Sequence, residues 1–412
     1  MTSSRPSSAY PWVVLGLLTG FWGLVGLNRV GIAYLFPILN PLFHLQYWQT
    51  GLLVSGTSFT WAFSSWGSGW LADRYGRRKV LLPGAAIACA ATAAMGGAWN
   101  FISLFIIRDI VGIGDGVGWP NAQTVIGREF SERSRAFASA VFTSGYPVFG
   151  SVLGPAIIVG IAVALGWRWA FPIIALFFAF VIIALFFVMR EPDSAADRYQ
   201  KLDWRNAFGV LRYRSTIYLM LIQVGALGWL QLGVAFNSLF LVRVKHVPLT
   251  GTVPILTAFG IAGVVGLWVL PHLSNYVGRK TTIFGGGILS GLCMALFAFG
   301  NFPLALAVVF LCGSGFFQGA IIPLAAATVV VETLPKAMHG VAMGSINFVG
   351  AMVGTFVIPI IGGVVADHFG LPAAIFLAGV CMLGSGLFVL GVPESAPRVL
   401  ARRGVRPAEV VP

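Results

Sequence analysis

The chain has 412 residues, is 58% apolar and is only 9% charged. Soluble domains are roughly 45–50% apolar and about 25% charged, so an ordinary water-facing surface is excluded. The net charge of +13 does not mark a nucleic-acid binder, because the bases gather in the short polar gaps between apolar runs.

Twelve apolar runs occur, near 12–36, 48–70, 80–100, 102–127, 136–163, 167–189, 215–240, 251–273, 281–300, 303–331, 340–363 and 370–392. Each is about twenty residues or longer, the length that crosses a bilayer as a helix. The first run has no basic stretch before it beyond Arg5 and no small-residue cleavage site after it, so a retained helix is expected rather than a signal peptide. Cys89, Cys293, Cys312 and Cys381 all fall inside predicted helices at no metal-ligand spacing, so neither a metal nor a cofactor is expected.

The longest polar stretch, 190–214, divides the runs six and six. The expected organisation is a cytosolic N-terminus (1–11), a six-helix bundle (12–189), a cytosolic linker (190–214), a second six-helix bundle (215–393) and a cytosolic tail (394–412). Arg74, Arg77, Arg78, Lys79, the bases of the linker and those of the tail all fall on one side, while Arg168, Arg243 and Lys245 fall on the other. This asymmetry places both termini in the cytosol, with the plasma membrane (the inner membrane of a bacterium) as the expected site.

The two halves echo each other. "LADRYGRRK" (71–79) matches "LSNYVGRKT" (273–281), "GDGVGWP" (114–120) matches "FQGAIIP" (317–323), and "GPAIIVGIAVALG" (154–166) matches "IPIIGGVVADHFG" (358–370). Repeats of this kind are a transporter architecture in which substrate sits between the halves.

The stretch "GWLADRYGRRK" (69–79) resembles the signature loop of the major facilitator superfamily, and "RDIVGIGDG" resembles that family's R-x-x-x-G-x-G pattern in the fourth helix. The resemblance runs over the whole chain. It implies an all-α membrane protein of twelve transmembrane helices in two pseudo-symmetric bundles, working by alternating access. It also implies that the loop latches a cytosolic gate, with Asp73, Gly76 and Arg77 as its working residues and Arg108 as a further gate candidate. Asn275 stands where Asp73 stands, so the latch of the first half is expected to dominate. A purely topological role for the three bases is the plainer reading.

Ionisable residues inside a bilayer are functional candidates by default. Here they are Arg29 in the first helix and Arg108, Asp109 and Asp115 in the fourth. At 100° per residue, Arg108, Asp115, Trp119 and Gln123 fall within about 80° of one another, one polar stripe that should face a cavity. Low dielectric favours the neutral form of a carboxyl group and a nearby arginine favours the charged form, so Asp115 is poised to carry a proton. "LNRVGIAYLFPIL" (27–39) resembles the first-helix pattern of the anion:cation symporter branch, which implies that Arg29 binds the substrate carboxylate. That pattern has an Asp where this chain has Asn28, which puts two-proton coupling in doubt. The rival reading for Arg29 is a snorkelling anchor, and for Asp115 a buried helix-to-helix ion pair. Tyr34, Tyr146, Gln231, Asn237, Asn347 and Gln318, the repeat counterpart of Asp115, could line the cavity or serve as helix-to-helix hydrogen bonds. "GSVLGPAI" (150–157) partly resembles a motif of proton-driven drug antiporters, but close packing of small residues accounts for it.

No phosphate-binding loop, H-E-x-x-H or G-x-S-x-G occurs, so no enzyme is expected. The reading is a secondary transporter of a small organic anion with proton symport, in the lipid bilayer, as a monomer and with no nucleic-acid partner. The alternative is a proton-driven exporter of lipophilic cations, which Arg29 would repel.

Overall fold

The computed structural model describes residues 9–189, 209, 212–335 and 338–402. Most of the predicted linker and the tail beyond 402 lie outside the described residues, as does the side chain of Asp73. No strand occurs among the described residues. Among the described residues, twelve helical rods are formed, ending within a few residues of the twelve predicted runs.

Contacts divide the chain into two compact units, one of Met1–Ile38 with Gly56–Gln200 and one of Leu39–Ser55 with Lys201–Pro412. In the first unit the rods are α1 (Tyr10–Leu42, as far as Ile38), α2 (Tyr47–Tyr75, from Gly56), α3 (Arg77–Met95), α4 (Phe101–Gly116) with α5 (Gly118–Glu129), α6 (Glu132–Pro147) with α7 (Gly154–Leu165), and α8 (Trp167–Val188). The fifth rod widens into a π-helical stretch at Val148–Leu153. Asn100 starts α4 with a capping box, its side chain accepting from the Ser103 N–H. That box satisfies amides that the first turn leaves without intrahelical partners.

The glycines of "GIGDG" explain how α4 packs. A Cβ on Gly112 would stand 2.5 Å from the Thr57 carbonyl of α2, and one on Gly114 would stand 2.6 Å from the Gly84 carbonyl of α3. At Gly116 it would stand 2.7 Å from the Trp61 carbonyl. α4 is therefore pressed against α2 on one side and α3 on the other, with Asp115 between Gly114 and Gly116. Close approach through small residues is how membrane helices associate without a hydrophobic drive between them. Gly114→Val should cost about 3 kcal/mol through overpacking. Gly127→Ala, which meets nothing within 4 Å, should be neutral or slightly stabilising. Thermal midpoints in detergent compare the two.

The second unit holds α9 (Arg214–Arg243), α10 (Leu249–Val277), α11 (Arg279–Phe299), α12 (Leu304–Gln318) with the short α13 (Ile321–Pro323) and α14 (Val329–Thr333), α15 (His339–Val349) with α16 (Ile358–Phe369), α17 (Leu371–Phe388) and a terminal turn, α18 (Pro397–Arg402). The start of α2 also belongs here. The Asp367 carboxylate accepts from the N–H groups of Tyr47 and Trp48 at 2.8 and 2.9 Å. At the beginning of α11, Arg279 forms an ion pair with Glu332 at 3.0 Å. Glu394 accepts from the backbone N–H of Arg279 and of Lys280. The second copy of the signature loop thus carries a dense polar network, in spite of Asn275.

The turns repeat between the units as the sequence match implies. Gly76 (φ 98°) pairs with Gly278 (φ 115°), and Gly166 (φ 91°) pairs with Gly370 (φ 83°). All four adopt the left-handed region that a Cβ disfavours. The regular hydrogen bonding of the fourth rod is interrupted at Val117 and that of its counterpart after Gln318, while the backbone angles stay helical at both places. A π-helical stretch at Gly350–Val357 matches the one at Val148–Leu153.

Among the described residues, ten rods are long and apolar enough to cross a membrane. The two others predicted to span are α2 and the α4–α5 pair. The α4–α5 pair carries Arg108, Asp109, Asp115, Asn121 and Gln123, and α2 carries Thr57, Ser58, Thr60 and Ser64. The same two rods supply most of the polar groups described next.

Candidate functional site

The site is built from residues of the first unit. Arg29 projects from α1 and its Nη2 donates to the Ser58 hydroxyl at 2.8 Å. Its guanidinium lies 5.5 Å from the centroid of the Trp61 ring. Ser58 and Trp61 are three residues apart on α2, so one helix face holds Arg29 by a hydrogen bond and a cation–π contact. A side chain held this way is engaged within the bundle instead of reaching along it as an anchor.

Next to Arg29, Asn28 is fully buried. Its amide donates to the Thr92 hydroxyl at 2.6 Å, and Thr92 donates in turn to the Ala88 carbonyl at 2.7 Å. On α4, Arg108 is 2% exposed and Asp115 is 0% exposed. Neither Asp115 oxygen accepts a hydrogen bond among the described residues. Arg29 and Arg108 both act electrostatically on Asp115 and on Tyr146. Buried carboxylates are ordinarily hydrogen-bonded, and a bare one costs several kcal/mol if ionised. Asp109, adjacent to Arg108, presents a buried Oδ1 that also lacks a hydrogen bond. A Cβ on Gly56 would stand 2.7 Å from it.

The predicted residues separate into three groups. Arg29, Arg108, Asp115 and Tyr146 come together. Tyr34 sits near them, but its hydroxyl is committed to the Gly150 carbonyl at 2.9 Å. Trp119 and Gln123 lie beyond Val117, in α5. Trp119 is 40% exposed, and Gln123 accepts from Ser139 at 2.9 Å. Gln231, Asn237, Gln318 and Asn347 belong to the second unit, where Asn347 accepts from Gln223. Gln318 ends α12 just as Asp115 comes next to last in α4. Sequence reasoning passed over Ser58, Trp61 and Thr92. The i, i+3 spacing of Ser58 and Trp61 in a serine- and threonine-rich helix was the available signal.

A family model for the Major Facilitator Superfamily matches residues 18–351, with a further match over 254–412. This chain belongs to the Major Facilitator Superfamily. Among curated relatives, a probable sulfoacetate transporter of Cupriavidus necator is 28% identical over 39% of this chain and only 37% of that protein's length. The D-galactonate transporter of Escherichia coli O6:H1 is 23% identical over 89% of this chain and 92% of that one. In fold, the chain is similar to a bacterial homolog of the human lysosomal transporter Spinster, solved in an inward-facing and unoccupied conformation. The TM-score is 0.76 at 18% identity, covering 97% of this chain and 98% of that one.

Within this superfamily chain, the gate residues named from the loop stand as follows. Gly76 makes the left-handed turn between α2 and α3, and Arg77 is buried at the head of α3. Arg108 sits in the buried cluster beside Asp115, in the interior of its rod.

Proposed function

We propose that this chain carries a small organic anion across the membrane together with a proton. Arg29 receives the carboxylate and Asp115 carries the proton. The observation that carries this reading is Asp115 itself, a fully buried carboxyl whose oxygens accept no hydrogen bond, with two arginines acting on it. Neutral, Asp115 needs no counter-charge and leaves the guanidinium of Arg29 available to a substrate carboxylate. Ionised, it attracts the arginines and competes with the substrate. Loading of proton and anion are therefore linked. The two relatives, a probable sulfoacetate transporter and a D-galactonate transporter, support the same substrate class.

The protein would lie in the inner membrane of a bacterium as a monomer with both termini in the cytosol. The test is the internal pH of proteoliposomes carrying a pH-sensitive dye. Adding D-galactonate or benzoate outside should acidify the lumen. Alkalinisation on adding lipophilic cations would replace this reading with proton-driven export, and silence with both panels would remove the proton from the mechanism.

A further inference from the structure

Resting on that reading, we infer that one proton accompanies each monovalent anion, so that transport is electroneutral, and that Asn28 is the residue that holds the count at one. The chain has 13 acidic residues. Eleven stand at the ends of rods, in the linker or in the terminal segments, and only Asp109 and Asp115 lie in the interior of a rod. The groups that act on Asp115, together with those that hold or flank Arg29, come from five rods. α1 contributes Arg29 and Asn28, α2 contributes Ser58 and Trp61, and α3 contributes Thr92. The fifth rod contributes Tyr146, and α4 itself contributes Arg108 and Asp109. Arginine and tyrosine keep their protons at neutral pH. Asp109 is only half-buried and has Arg108 as its charged neighbour, whereas Asp115 is fully buried and has Arg29, the receiver of the anion, acting on it. Asp115 is left as the group that cycles.

Asn28 is fully buried, and a carboxyl group in its place would be a second proton carrier. Thr92 gives its hydroxyl proton to the Ala88 carbonyl, so it shows only lone pairs to residue 28. Asn28 answers with its NH2 group. A carboxyl group of the same shape could make that bond only when protonated, because an ionised one has no donor. It would therefore gain and lose a proton next to Arg29. The carboxamide makes the bond permanently and holds no proton to release. It is a fixed copy of the neutral acid.

A carrier returns to its starting state at the end of each cycle, so the charge moved is that of the cargo alone. A monocarboxylate and one proton sum to zero. Any net charge would be driven by the membrane potential, at about 2.3 kcal/mol per charge per 100 mV, which is roughly a 50-fold change in steady-state accumulation.

The experiment uses the full chain in proteoliposomes with D-galactonate and benzoate as tracers. A fixed pH gradient is held, alkaline inside, and the potential is clamped with potassium and valinomycin. Accumulation at steady state should follow the pH gradient and stay within about twofold on imposing about 100 mV, inside negative. Asn28→Asp should then respond, gaining up to about 50-fold at that potential. A wild-type protein that already gains about 50-fold moves two protons, which overturns this inference and leaves proton symport standing. Accumulation that falls with inside-negative potential and ignores the pH gradient marks a bare anion carrier, and overturns both. If Asn28→Asp proves inactive, the wild-type response to potential still decides the count.

Discussion

Asp115→Asn should abolish the accumulation of organic acid against its gradient while leaving exchange of internal for external acid in place. Coupled to one proton, the wild-type protein can concentrate a monoanion about tenfold per pH unit, since each unit stores about 1.4 kcal/mol. In the variant the ratio should drop to about one. Asparagine keeps the shape of the neutral acid, and neither oxygen of Asp115 has a hydrogen bond to lose. The fold should therefore tolerate the change within about 1 kcal/mol. The measurement pairs two assays on the same vesicles, net uptake under a pH gradient and tracer exchange at equal pH. Loss of both would make Asp115 a binding or structural residue. Retention of both would remove it from coupling.

Much of this architecture is legible in the sequence because its determinants are local. Apolar runs of membrane length announce the rods. The four turn glycines, Gly76, Gly166, Gly278 and Gly370, show themselves through the repeat, since a left-handed turn needs the same residue in both halves. Arg29 and Asp115 stand out because charge is scarce in such runs. What could not be read depends on side chains distant in sequence. Ser58 and Trp61 look like ordinary residues of a polar helix until α1 brings Arg29 against them. Glu394 meets Arg279 from 115 residues away, so the network at the second copy of the loop left no local trace. The stripe through Trp119 and Gln123 rests on helix geometry alone, which could not show that Gln123 is engaged by Ser139 of the next rod or that Trp119 stays partly exposed. His44 and His246 are a subtler case. Both take positive φ just beyond the first and seventh rods, a matched pair of helix ends that the sequence comparison did not pick out.

The packing of α4 also explains why the site sits where it does. An ionisable group at membrane depth is tolerated where it faces the interior of the bundle. The glycines that press α4 onto α2 and α3 supply that surrounding on two sides. Packing and chemistry therefore constrain the same short stretch, and "GIGDG" serves both.

Arg29→Ala should reduce transport of organic acids by about 100-fold or more, and Arg29→Lys should recover only part of it. A hydrogen bond to a charged group contributes about 1.5–3 kcal/mol, and an arginine offers a carboxylate two in parallel. Lysine keeps the charge and loses the planar fork, so it can neither bind both carboxylate oxygens together nor lie flat over Trp61 in the same way. The expected signature of Arg29→Lys is a rise in KM of about tenfold with little change in maximal rate, because only substrate binding is weakened. An anchoring role predicts something else. Lysine reaches a membrane interface as well as arginine does, so it would restore transport in full. A carrier of lipophilic cations predicts the opposite sign, since removing a positive charge from the path would raise cation flux. KM and maximal rate for D-galactonate, measured in the three proteins at one pH, separate these outcomes. Only the first is consistent with a guanidinium held ready by Ser58 and Trp61 for a carboxylate to claim.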